Sequence, residues 1–465
     1  MIHLYRFKDE NIVLDVNSGA VHVVNDITYD ILSFYCKDSE CKFDPGLREK
    51  IVNQLYLSQN LIYKYSKAEI KEAFSEIEEL IAEEMLFTED VSAISINPEN
   101  RGAVIKAMCL HVAHDCNMRC AYCFADTGGF EGERSLMSFD TGKSALDFLV
   151  HNSGERRNLE VDFFGGEPLM NFEVVKKLVD YGRKIEKKHN KNFRFTITTN
   201  GLLLDDTKTE YINMNMDNVI LSIDGRPEIN DLMRKTPSDK GTYDLIIYKL
   251  IDFVKKRDAL YYVRGTYTAK NKDFASDVKH LVDIGFRNVS VEPVVTDSKY
   301  DYALTKADLP EILDEYDRLA DMYLNYYEAD KAFSFFHFNV DLTQGPCVFK
   351  RAAGCGAGTE YVAIAPSGDI YPCHQFVGNE DFLMGNVAEV NSGKELLKEE
   401  IIKAFNEAHI YNKPKCVDCW AKYYCSGGCH ANAYHENGDL LVPYELGCEI
   451  EKKRIECAIG ILSKM

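Results

Sequence analysis

The sequence predicts an α/β fold: an open, partial barrel of six strand–helix units, with a small β-then-α module ahead of it and a cysteine-rich segment behind it. Three observations predict this. From residue 105 to 295, apolar runs of strand length alternate six times with stretches long enough for a return helix. The fifteen cysteines are grouped: Cys116, Cys120 and Cys123 lie together, none follows until Cys347, and eight fall between Cys347 and Cys448. The first hundred residues carry nine basic and nineteen acidic side chains, so half of the net charge of −20 sits in about a fifth of the 465 residues.

In the leading module, alternating stretches at 4–7, 12–16 and 20–24 read as short antiparallel strands, with Asn17-Ser18-Gly19 as a turn. Helical periodicity follows from 28 to about 87. This pattern alone fits a stabilising cap as well as a binding module. The barrel strands are expected at 107–112, 159–164, 193–198, 219–223, 261–267 and 289–293, with return helices such as 172–187 and 275–284. Six units fall short of the eight of a closed barrel, and the chemistry of such sheets lies at the carboxyl ends of the strands. An acidic helix near 309–327 leads into the cysteine-rich end.

Apolar residues make up 46% and charged residues 28%, enough for sizeable cores and against global disorder. The acidic balance makes nucleic acid an unsuitable partner. No run reaches the roughly 18 apolar residues of a membrane span, and the start lacks a signal-peptide core, so a cytoplasmic protein without a membrane partner is expected. In a reducing compartment, grouped cysteines point to metal ligands rather than disulfides.

The first group follows the first strand as His114-Asp115-Cys116-Asn117-Met118-Arg119-Cys120-Ala121-Tyr122-Cys123-Phe124. Three thiolates at CxxxCxxC spacing on a loop can hold three corners of a cubane and leave the fourth iron without a protein ligand. The competing reading is structural zinc, with His111 or His114 as fourth ligand. The second strand ends in Gly165-Gly166-Glu167-Pro168, where glycines admit close backbone approach and a carboxylate can neutralise an ammonium.

CxxxCxxC with the aromatic Tyr122 before its last cysteine, one strand away from Gly-Gly-Glu-Pro, resembles the radical S-adenosylmethionine (SAM) enzymes. The resemblance implies that the open iron chelates the amino and carboxylate groups of SAM. It also implies that Tyr122, Gly165, Gly166 and Glu167 bind that cofactor, with Glu167 taking the methionyl ammonium. Thr199-Asn200-Gly201 after the third strand, Ser222-Ile223-Asp224-Gly225 after the fourth, and Arg234 extend the match. By resemblance Asn200 and Ser222 touch SAM and Arg234 clamps its carboxylate; read without it, they are turns and a surface arginine. Arg264, a charge inside the fifth strand, calls for a partner.

Downstream, Cys355 and Cys373 precede Cys416, Cys419, Cys425, Cys429 and Cys448. This pattern resembles the SPASM domain, a C-terminal extension of peptide-modifying radical SAM enzymes that holds two auxiliary [4Fe-4S] clusters. The resemblance implies an outer cluster on Cys416, Cys419, Cys425 and Cys448 and an inner one on Cys355, Cys373 and Cys429, three [4Fe-4S] clusters in all. Cys347 or a substrate thiolate completes the inner set. Zinc ribbons are the alternative. Cys36, Cys41, Cys109 and Cys457 are expected to be plain thiols. His374 and His430 adjoin cysteines of the inner set and serve either as donors to sulfur or as structural histidines; Tyr423-Tyr424 reads as packing.

The leading module resembles the recognition element of enzymes that modify ribosomally made peptides, a winged-helix-like domain that binds a leader peptide at a sheet edge. With all parts together the chain resembles thioether-forming maturases of six-cysteine (SCIFF) peptides. That implies a recognition domain at 1–95, a radical SAM barrel at 103–310 and a SPASM domain at 311–465. The implied activity joins a cysteine thiol to a carbon of an acceptor residue, threonine by expectation, through a 5′-deoxyadenosyl radical. The implied partners are a cysteine-rich precursor peptide, its leader held by residues 1–95, and an electron donor such as flavodoxin or ferredoxin. The alternatives are sulfatase-maturase-like oxidation of Cys or Ser to formylglycine and a non-catalytic, zinc-stabilised peptide-binding scaffold. No catalytic base stands out; Asp224 and Glu292 lie near strand ends, where structural pairing serves equally well.

Overall fold

Pleat alternation explains how the leading module attaches. In the computed structural model, which describes residues 1–36, 65–90, 104–130, 132–342, 352–394 and 397–465, β1 (Ile2–Phe7) and β2 (Glu10–Asp15) pair antiparallel and β3 (Val21–Val24) extends the sheet from β2. Ile2 and Val13 face α1 (Asp26–Tyr35) and α2 (Lys67–Ala82), where they bury Leu32, Phe74 and Ile77. The alternate residues Tyr5, Phe7, Ile12 and Leu14 point the other way and join the core of the rest of the molecule. Helix α2 begins at a capping box between Ser66 and Glu69. The middle of the span predicted helical, together with Cys41 and Cys347, lies outside the described residues. Cys36, expected to be a plain thiol, is instead disulfide-bonded; the expectation rested on compartment alone, and the residue sits at the end of α1.

The barrel strands β4 (Ala107–His114), β5 (Asn158–Gly165), β6 (Asn192–Thr199), β7 (Asn218–Ser222), β8 (Leu260–Tyr267) and β9 (Asn288–Pro293) pair in parallel in that order. Helices α3 (Phe139–His151), α4 (Phe172–His189), α5 (Asp206–Asn215), α6 (Tyr243–Lys255) and α7 (Phe274–Asp283) return the chain, and α8 (Leu309–Glu328) is the expected acidic helix. Along β5, Leu159, Val161 and Phe163 are buried in the core, which turns Asp162 and Phe164 to the inner face.

The sheet continues past these six strands. β10 (Ser334–Phe335) adds beyond β9. On the other side, the cysteine-rich segment lays β11 (Tyr361–Ile364) parallel to β4, followed by the antiparallel β12 (Asp369–Tyr371) and β13 (Gly385–Asn386). The C-terminal helix α9 (Glu445–Lys464) then reaches the leading module, where the Tyr5 hydroxyl donates to the Glu456 carbonyl at 3.2 Å. No helix among the described residues is long and apolar enough to cross a membrane.

Candidate active site

A cavity of about 690 Å³ lies at the carboxyl ends of the barrel strands, lined by Cys116, Cys120 and Cys123 and also by Cys425, Cys429 and Cys448. The loop after β4 is pinned before any cofactor is considered. Arg119 donates to the carbonyls of Cys116 (2.6 Å) and Met118 (2.7 Å), and the Asp115 carboxylate accepts from the Cys116 N–H (2.8 Å) and from Arg134 (2.6 Å). The end of β5 buttresses it: the N–H groups of Gly166 and Glu167 donate to the carbonyls of Ala113 (2.7 Å) and Asp115 (2.9 Å). That approach explains the paired glycines, since a Cβ on Gly165 or Gly166 would stand 2.2 or 2.1 Å from those carbonyl oxygens.

Glu167 is buried and ties β5 to β6: it accepts from the N–H of Leu169, the Thr199 hydroxyl (2.8 Å) and the Asn200 N–H (2.8 Å). Burial lifts its carboxyl to about 7 against these hydrogen bonds. The Asn200 amide donates to Asn117 at 2.8 Å and lies 3.8 Å from the Cys116 sulfur. The Tyr122 hydroxyl donates to the Asp224 carboxylate (2.8 Å) and accepts from Arg234 (3.0 Å), while the Thr266 N–H also donates to Asp224. Asp224 is therefore structurally paired, as is Glu292, which accepts from His337 (2.9 Å) and faces Arg454. The His337 imidazole and the Arg454 guanidinium hold the Glu292 carboxyl well below the usual carboxylate range against its burial, and burial lowers His337. Ser222 and Arg264 also line the cavity.

Proximity sorts the remaining thiols. Burial raises Cys355 and Cys373, and each is raised further by Cys429. Burial lifts Cys425 to about 12 and Cys448 to about 11; Cys416 and Cys419 act on both, and Cys448 acts on Cys425. Sequence reasoning missed Lys413, which is fully buried, donates to the Gly427 carbonyl (2.8 Å) and feels Cys416, Cys425 and Cys448 as well as Cys429. A lone lysine before a proline carries no signal that would have found it. His430 bonds to the Ala353 carbonyl and Lys413, a structural role; Tyr423 bonds to Asp90 (2.7 Å).

The residues around the first cysteine group fit a cubane with SAM better than zinc. His111 and His114 bond each other at 3.1 Å and pack on Phe130, which commits both imidazoles to that pocket. Arg234 is buried with its Nε lacking a hydrogen-bond partner beside the cavity, a donor suited to a carboxylate. The three thiols are free of disulfides and act on one another from the same wall.

Comparison with known proteins agrees. Residues 102–248 match a 4Fe-4S single cluster domain, and residues 355–420 match the SPASM iron-sulfur cluster-binding domain. A cysteine-type anaerobic sulfatase-maturating enzyme of Clostridium novyi is 25% identical over 68% of this chain and 86% of its own length. An uncharacterised protein of Methanocaldococcus jannaschii is 31% identical over 40% of this chain, a match spanning 62% of that protein. Among solved structures, anSMEcpe with bound AdoMet superposes with a TM-score of 0.62 at 20% identity, covering 76% of this chain and 97% of that one. SuiB of Streptococcus suis bound to S-adenosylmethionine gives 0.52 at 18% identity, over 95% and 97% of the two chains, and SuiB has also been solved with its precursor peptide SuiA.

A partial parallel barrel carrying an iron-sulfur cysteine triad at its mouth and an iron-sulfur domain behind it defines a radical SAM enzyme. The two matched domains are those of radical SAM/SPASM proteins, and the cofactors are [4Fe-4S] clusters, auxiliary ones included, and SAM.

Proposed function

We propose that the enzyme oxidises a cysteine-bearing peptide, joining the cysteine thiol to a carbon of an acceptor residue as a thioether. The observation that carries this reading is that Cys425, Cys429 and Cys448 line the same cavity as Cys116, Cys120 and Cys123, because an inner set of Cys355, Cys373 and Cys429 would leave a corner to offer a substrate sulfur. Cys116, Cys120 and Cys123 would hold the first cluster, and Gly165, Gly166, Glu167, Asn200, Ser222, Arg234 and Tyr122 would surround SAM. When bound, the clusters and SAM would supply the electron, the hydrogen-atom abstraction and a sink for the second electron of the oxidation.

The chain's own residues position and enclose. The Glu167–Thr199–Asn200 knot fixes the wall next to Cys116, and the Tyr122–Asp224 pair holds Arg234 toward the cavity. Phe124, Phe164 and His374, with ring centres 5.4 to 6.5 Å apart, form an aromatic stretch of the cavity wall. Among the described residues β3 pairs only with β2, so its free edge suits an added leader strand. An electron donor such as flavodoxin or ferredoxin completes the system.

A second reading, oxidation of Cys or Ser to formylglycine, is favoured by the likeness to the Clostridium novyi enzyme. Anaerobic incubation of the holoenzyme with a cysteine-rich precursor peptide, SAM and reductant separates the two. A thioether shows as loss of two hydrogens with one fewer alkylatable thiol. Sulfide release with a new aldehyde selects the second reading instead.

A further inference from the structure

Asp162 stands apart from the residues assigned to the clusters or SAM. It lies on the inner face of β5, in register with Cys109 of β4 and Thr196 of β6, and lines the cavity. Its Oδ1 is buried and has no hydrogen-bond partner, a costly state for a carboxylate oxygen unless a ligand supplies a donor. Burial raises its carboxyl to about 7, against the pull of the Arg264 guanidinium from across the cavity and of the neighbouring Thr198 hydroxyl.

Arg264 is in the complementary condition. It projects from β8, three strands away, with its side chain 58% exposed and its nearest carboxylate, Glu292, at 3.9 Å. Among the described residues its guanidinium makes no hydrogen bond. Thr198 of β6 and Ile220 and Ser222 of β7, on the two intervening strands, line the same cavity. Tyr361 and His374, joined at 3.3 Å, bring the inner cysteine set up to the Asp162 side of this space.

We propose that Asp162 and Arg264 form the substrate-holding pair of the cavity: Asp162 Oδ1 accepts from, and Arg264 donates to, a neutral peptide group that carries both a donor and an acceptor. That chemistry has two sources, a hydroxyl of the acceptor residue or a main-chain amide. The proposal rests on the peptide reading above and adds which residues grip the modified segment, and with what.

The test is equilibrium binding of a fluorescein-labelled, leader-free fragment of the cysteine-rich precursor to anaerobic holoenzyme with SAM and no reductant, so that no turnover intervenes. Asp162→Leu and Arg264→Met weaken the fragment about tenfold or more, whereas Asp162→Asn, which keeps an acceptor oxygen, recovers most of the affinity. SAM affinity and iron content stay within about twofold of wild type, since neither residue is placed on those groups. Fragments with threonine replaced by valine, or with one amide replaced by an ester, identify the source: the matching change weakens wild type and costs nothing further in Asp162→Leu. Should that variant not fold, the same fragments on wild type decide, and unweakened binding of every modified fragment overturns the pair. Unchanged affinity in folded variants, or loss of SAM affinity in place of peptide affinity, also overturns it. If wild type binds neither the fragment nor the whole precursor, the peptide reading itself has failed.

Discussion

A methyl group at residue 166 has nowhere to go: its carbon would stand 2.1 Å from the Asp115 carbonyl oxygen and 3.1 Å from the Cys116 Cβ. Gly166→Ala therefore has to push the cysteine loop off the end of β5. The expected loss is about 1–3 kcal/mol of stability together with a lower yield of the first cluster. Iron per chain and the anaerobic melting temperature check this; full iron with an unchanged melt would show that the loop gives way freely. His114 makes a second prediction, on pH. Burial holds its imidazole down to about 4, below the ordinary 6.5, so the folded state prefers the neutral ring. Stability from this group is complete above pH 6.5, falls as acid protonates the unfolded chain, and levels off only below about 4. At pH 5 the cost is about 2 kcal/mol. An anaerobic melting series from pH 7 to 5 falls steeply in wild type and less so in His114→Gln.

At the scale of elements, the leading module is clamped to the iron-sulfur end of the chain. The His3 ring stacks on Trp420 at 3.7 Å, Phe7 packs against Gly460 of α9, and Asp90 accepts from Lys422 at 2.8 Å. A Cβ on Gly460 would meet the Phe7 ring at 2.2 Å. Gly460→Leu should lever the module off α9, at a cost of about 1–3 kcal/mol. Trp420 is the only tryptophan, so a red-shifted emission maximum reports the opening directly. An unshifted spectrum with unchanged stability would mean that Phe7 repacks. This docking was not legible in the sequence. Alternation in Tyr5, Phe7, Ile12 and Leu14 is the same whether the second face meets another domain or a loose helix, and β11 to β13 are too short to show any period. The six barrel strands were legible because runs such as Leu159, Val161 and Phe163 alternate over a full strand between helices of ordinary length. Among site residues, the cysteine triad and Gly165-Gly166-Glu167 announce themselves by spacing. Asp162 and Lys413 do not, because what marks them is an unpaired oxygen and a buried position that only the folded chain creates.

For the whole molecule, the question is how far the two ends of the cavity act independently. Cys355 and Cys373 precede Cys416, Cys419, Cys425 and Cys448 in the chain, with Cys429 set between the last two, and Lys413 feels Cys429 as well as Cys416, Cys425 and Cys448. The first group is held otherwise: its loop hangs on β4, the end of β5 and Asn200, with no hydrogen bond to the C-terminal cysteines among the described residues. Removing the inner set should then leave the first intact. Replacing Cys355 and Cys373 together by Ala is expected to lower iron from about twelve to about eight atoms per chain. Peptide-free release of 5′-deoxyadenosine should persist while modification of the precursor stops, because the electron sink and the sulfur-binding corner are lost together. Iron analysis and anaerobic product assays on one preparation check both halves. If 5′-deoxyadenosine release disappears as well, the β11 strand that joins the cysteine-rich segment to β4 carries more than packing, and the cavity works as one indivisible site.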